Sequence, residues 1–190
     1  MIAQLQAVFK DLENGQHAER FFWPWLWTGL RDYFGASLSG KYNPLVDVLR
    51  ATLARSMIVA GYAAPSAQDI DRVMEAFEKL TPATMVLEAL KLLKESHWDI
   101  WVATNGGYAY TVDLLRENGM LEYFTLADEI NVLSCDDLRI AKPHPKVYSE
   151  LMRLAVHRTR RIEVKGLAYA NCASVAKPTV ERLHDSVACV

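Results

Sequence analysis

The sequence predicts an α/β fold: a truncated, Rossmann-like parallel sheet carrying a helical cap. Two changes of rhythm along the chain lead to this expectation. Up to about Leu80 the apolar residues recur only at helical spacing. Beyond Thr81-Pro82, short apolar runs alternate with helical segments, the pattern of strands joined by crossover helices in a parallel sheet. The sheet is expected to be truncated because no apolar strand precedes the helical half. The organisation read from this is one compact unit in two parts, a cap-like part over 1–80 and a Rossmann-like part over 81–190.

In order, Ile2, Leu5, Val8, Phe9 and Leu12 mark a first helix that Asn14-Gly15 can stop. An aromatic run follows, Phe21-Phe22-Trp23-Pro24-Trp25-Leu26-Trp27, continuing through Leu30, Tyr33 and Phe34, and then a loop rich in Gly and Ser from Gly35 to Pro44. Helical patterns cover Leu45–Ala60 and Ala67–Leu80. Ser66 is placed to cap the second, and Asp69 and Asp71 suit the positive end of its dipole. Met85–Ser96 is an amphipathic helix and Asp99–Thr104 a buried strand ending in Asn105-Gly106-Gly107. Tyr108–Asn118 is a helix closed by Gly119, and Glu129–Leu133 a strand. The remaining elements are a helix at Pro145–Val156, a strand at Arg161–Lys165, a helix at Cys172–His184 and a short strand at Ser186–Val190.

At 190 residues the chain is long enough for one domain with a real core. Its net charge of −2, with acids and bases intermixed, gives no electrostatic reason to expect nucleic acid or an acidic membrane. No run of eighteen apolar residues indicates a membrane span, and Met1–Glu13 has neither the basic start nor the long apolar run of a secretory signal. Cys135, Cys172 and Cys189 are odd in number and widely spaced, which reads as reduced thiols in the cytoplasm.

Two motifs carry chemistry. LTPATMVLEALKLLKESHWDIWVATNGG reads as helix, strand, then Thr104-Asn105-Gly106-Gly107. LSCDDLRIAKPHPKVYSELM places Lys142 in a loop before a helix opened by Pro143 and Pro145. A hydroxyl and an amide at a strand's carboxyl end can hold an anionic oxygen, and a lysine beside them can neutralise developing charge. At this separation the two motifs resemble the haloacid dehalogenase superfamily, and the helical insert resembles its L-2-haloacid dehalogenase branch. The resemblance runs from about Phe22 to near the C-terminus. It implies that Thr104, Asn105 and Lys142 are catalytic-site residues assisting an aspartate nucleophile at the end of a first strand.

The chain departs from that pattern in three places. The only imitation of the nucleophile motif is Val8-Phe9-Lys10-Asp11-Leu12-Glu13-Asn14-Gly15, yet Gln4, Gln6 and Lys10 interrupt what a central strand would keep apolar. The family's closing acidic motif falls on Gly166-Leu167-Ala168-Tyr169-Ala170-Asn171, where Tyr169 keeps the aromatic position and Ala170 replaces the acid. Arg161-Ile162-Glu163-Val164-Lys165 alternates charged and apolar residues and so reads as an edge strand. Asp128, Asp136 and Asp137 lie outside the expected positions and read as turn and surface acids. No metal site and no cofactor are expected, since Mg²⁺ wants converging oxygen ligands.

The aromatic segment offers Phe22, Trp23, Trp25 and Trp27 as the lining of an apolar cleft, to which Tyr108 and His144 can add polar groups. The same residues can equally pack the cap or form a homodimer contact. The functional expectation is a non-hydrolytic enzyme on this scaffold. A cyclase or isomerase, of which a Diels–Alder-type pericyclase is one case, would act on a lipophilic small molecule of natural-product biosynthesis and need only orientation and a few hydrogen bonds. The alternatives are a catalytically inactive binding or regulatory protein, and a hydrolase using Asp11.

Overall fold

The computed structural model describes residues 1–169. Helix α1 (Ile2–Val8) passes through a 3-10 turn (Lys10–Leu12) into α2 (Gly15–Leu38), and α3 (Leu45–Val59) and α4 (Ala67–Glu78) complete the helical part. Asn14 caps α2, its side chain accepting from the Gln16 N–H at 3.0 Å. Ser66 caps α4 in a full capping box with Asp69, as its sequence signature requires. The Gly- and Ser-rich stretch expected to be a loop from Gly35 is helical as far as Leu38, so the connection to α3 is shorter than expected.

These helices close around a dry core of Leu5, Leu12, Phe21, Trp25, Leu53 and Val73. Gly29 sets how closely α2 and α3 approach, because a Cβ there would stand 2.5 Å from Leu49 Cδ2. The aromatic run is therefore split by its helical phase. Trp25 is fully buried and donates its indole N–H to the Leu49 carbonyl at 3.2 Å, whereas Trp23 and Trp27 are 47% and 64% exposed.

The second part begins with α5 (Val86–Glu95) and strand β1 (Val102–Thr104). It continues through α6 (Tyr108–Glu117), β2 (Thr125–Leu126), β3 (Glu129–Ile130) and β4 (Val132–Ser134), and ends with α7 (Cys135–Leu138) and α8 (Pro145–Tyr169). β1 and β4 are parallel, with Val102, Ala103 and Thr104 opposite Val132, Leu133 and Ser134. Side chains alternate across this pair. Ile100 and Val132 belong to a cluster with Leu90, Val112 and Phe124, while Trp101, Ala103 and Leu133 pack with Val147 and Leu151 of α8. Helices thus cover both faces, which is why the strands are continuous apolar runs. β2 and β3 form a hairpin whose two turn residues, Ala127 and Asp128, both have positive φ, as a tight turn matched to strand twist requires.

The strand expected at Arg161–Lys165 is not formed: α8 runs without interruption from Pro145 to Tyr169. A five-residue alternation is too short to fix a period of two, and Arg, Glu and Lys are good helix formers. Arg158 helps seat α8, its guanidinium 4.8 Å from the centre of the Trp101 ring and 2.8 Å from a Glu129 carboxylate oxygen. The elements expected at Cys172–His184 and Ser186–Val190 lie outside the described residues. No helix among the described residues is long and apolar enough to cross a membrane.

Candidate functional site

Because β1 and β4 are parallel and in register, both carboxyl ends open on the same side, the place where open α/β sheets bind ligands. Thr104 and Ser134 end the two strands opposite each other. Both turn back on the glycine loop: Thr104 Oγ1 accepts from the Gly106 N–H at 2.9 Å, and Ser134 Oγ donates to the Gly106 carbonyl at 2.7 Å. Ser134 also caps α7 by accepting from the Asp136 N–H at 3.1 Å. At Gly107 a Cβ would sit 3.2 Å from Asp136 Oδ2, a tight contact that brings the loop backbone close to that carboxylate.

Lys142 joins this turn from the other chain segment. Its backbone N–H donates to Asn105 Oδ1 at 2.9 Å, and its ammonium donates to the Ala103 carbonyl. The structure therefore brings together Thr104, Asn105 and Lys142, three residues the sequence singled out. Their uncommitted hydrogens outnumber the lone pairs left on Thr104 Oγ1 and Asn105 Oδ1. The Thr104 hydroxyl hydrogen, the Asn105 amide N–H groups and two ammonium hydrogens have no acceptor among the described residues, and no carboxylate there pairs with Lys142. Such a set stabilises an anionic or polarised oxygen and offers no base to remove a proton.

Cap residues that sequence reasoning did not single out close one side. The Ala141 N–H donates to Ser37 Oγ at 2.8 Å. Tyr42 donates its phenol proton to Asp136, and the Tyr33 and Tyr42 hydroxyls are 3.1 Å apart. Asp136 is thus no surface acid; half-buried, it ties the α2–α3 connection to the strand ends. Its position two residues after a strand-ending serine, in the first turn of α7, was the available signal. Burial pushes the Tyr33 phenol up to about 12, and burial together with the Asp136 bond pushes Tyr42 up as well. Cys135 is fully buried and burial raises its thiol, which makes it a packing residue rather than a nucleophile.

The other expected site residues lie elsewhere. Phe22 and Trp25 pack in the cap core, while Trp23 and Trp27 are at the cap surface. Tyr108 opens α6 and is exposed, and the His144 ring accepts from the Lys146 N–H within its own loop at 3.1 Å. Tyr169 lies within α8, not after a strand at Arg161–Lys165 as expected. Asp11 lies exposed in the 3-10 turn between α1 and α2, not at a strand end. Among the described residues no group of three His, Cys, Asp or Glu side chains converges.

Residues 7–161 match the family of haloacid dehalogenase-like hydrolases. The chain belongs to that family. Solved structures agree on the fold of the scaffold. An L-2-haloacid dehalogenase superposes with a TM-score of 0.68 at 20% identity, over 80% of this chain and 64% of its own. Another dehalogenase gives 0.64 at 22% identity, over 80% and 66%. The L-2-haloacid dehalogenase of Xanthobacter autotrophicus gives 0.61 at 22% identity, over 80% and 59%. This haloacid dehalogenase-like chain therefore spans about three fifths to two thirds of the length of the structures it matches. No curated protein matches the sequence.

Proposed function

We propose that the chain is a non-hydrolytic enzyme on a haloacid dehalogenase-like scaffold, polarising a carbonyl or enolate oxygen of an organic substrate between Thr104, Asn105 and Lys142. The surplus of uncommitted donors in that cluster carries the reading. A carbonyl held by an ammonium and two neutral donors becomes a better electrophile or dienophile, which suits cyclisation or isomerisation of a bulky apolar molecule such as a natural-product intermediate. Asp136 is engaged by Tyr42 and Asp11 stands in the cap's first turn, so neither supplies the covalent ester of the family's hydrolytic route.

A second reading, hydrolysis, is favoured by the family match and by the retention of the assisting threonine, asparagine and lysine. It requires a nucleophilic carboxylate from outside residues 1–169. The test is a panel of an aryl phosphate and 2-chloropropionate, with and without Mg²⁺, on the full chain and on Lys142→Gln. No turnover by folded protein is the expected result. Turnover that disappears in Lys142→Gln would establish the second reading instead.

A further inference from the structure

We infer that the cap carries a second, separate ligand site, between α2 and α3, for a small carboxylate with an apolar body. A cavity of about 390 Å³ opens there, within the size range of small-molecule pockets. Every residue lining it comes from α2, from α3 or from Ala60 at the end of α3, and none comes from the strand-end turn, so it is not part of the site described above. Its wall is apolar: Pro24, Val59 and Ala60 line it, backed by the buried Phe21–Trp25 pair, whose ring centroids are 6.2 Å apart.

The rim carries Arg20, Arg31 and Arg55, and no acidic residue lines the cavity. Asp32 alone offsets them, accepting from Arg31 at 3.1 Å and Arg55 at 2.5 Å. The Arg20 guanidinium has no hydrogen bond or ion pair among the described residues. Three guanidiniums against one carboxylate leave two positive charges unbalanced beside an apolar wall. An anionic head with an apolar body complements both features, since guanidinium forks match a carboxylate and Pro24, Val59 and Ala60 match the body. A shallower hollow on the other side of Pro24 shares Arg20 but includes Glu19, which makes the α3-facing side the one suited to an anion.

The experiment is calorimetric titration of the full chain with 2-naphthoate and, as the neutral control, 2-naphthamide. Naphthoate is expected to bind, and the amide about tenfold more weakly or worse, the order of one charge-assisted hydrogen bond. Arg20→Gln removes a guanidinium that holds nothing else, and is expected to weaken naphthoate by about tenfold. Val59→Glu, at a position 83% exposed, puts a carboxylate on the rim and is expected to abolish binding without disturbing the core. Lys142→Gln should leave the affinity unchanged, which separates this site from the strand-end reading. Equal affinity for acid and amide, indifference to Arg20→Gln and Val59→Glu, loss in Lys142→Gln, or no binding at all would each overturn the inference.

Discussion

The cap and the strand-end turn are built on opposite principles within one chain. Around Trp25 the cap is closed by volume. Leu5, Leu12, Leu53 and Val73 are fully buried, and the one polar atom of the Trp25 side chain is satisfied by Leu49. At the strand ends the chain is held by direction: Thr104, Ser134, Asn105 and Lys142 spend hydrogen bonds on Gly106 and on one another, and the donors left over have no protein acceptor among the described residues. A packed core tolerates apolar exchange at similar volume, whereas a directional cluster is altered by removing one atom. Under the proposed function, the contrast puts the chemistry at the strand ends and the buried part of the aromatic helix in the architecture.

Mutations that break each principle differ in size. Trp25→Ala empties the centre of the cap core and leaves the Leu49 carbonyl without its indole donor, and denaturant unfolding should show a loss of about 3–5 kcal/mol. Asn131 is the buried polar counterpart in the second part. Its amide donates to the Ile100 carbonyl at 3.0 Å and its oxygen accepts from Arg158, so Asn131→Ala strands both and should cost about 1–3 kcal/mol by the same measurement. Ser66→Ala removes one cap from an exposed helix end and should cost about 1 kcal/mol, with no effect on the strand-end site.

Tyr33→Phe is read in the shape of the alkaline stability profile rather than in its size at neutral pH. The folded state keeps the phenol protonated up to about 12, whereas the unfolded chain releases that proton near 10. The stability this contributes is complete below pH 10 and is lost as pH rises from about 10 through 12. A pH series of unfolding midpoints should show that fall in the wild type and a shallower one in Tyr33→Phe. Equal slopes would mean that the tyrosine pair does not hold the cap to the strand ends as described.

Much of this organisation was legible from sequence because it rests on local periodicity. The capped α4, the β1 strand ending in Thr104 and the lysine loop before α8 follow from short-range signals and stand where those signals place them. What escaped depended on contacts distant in sequence. Tyr42 reaches Asp136 across ninety-four residues, and Ser37 reaches Ala141 across a hundred and four, spacings at which no periodic pattern exists to read. The aromatic run was ambiguous for a different reason. Composition marks it as apolar, but only its phase against α3 and α4 decides that Trp25 is core and Trp27 is surface. At Arg161–Lys165 a strand-like alternation was overridden by the continuous helix in which it lies.

The central claim is that the described residues stabilise an oxygen at the strand ends and include no hydrolytic nucleophile. Asp11 is the one aspartate whose sequence setting imitates that nucleophile, so its removal is the most direct test. The measurement is turnover of 2-chloropropionate and an aryl phosphate by Asp11→Asn beside the wild type, at matched folded concentration. The account predicts identical rates in the two proteins for both substrates. A wild-type rate that Asp11→Asn abolishes would contradict it and place the nucleophile on Asp11.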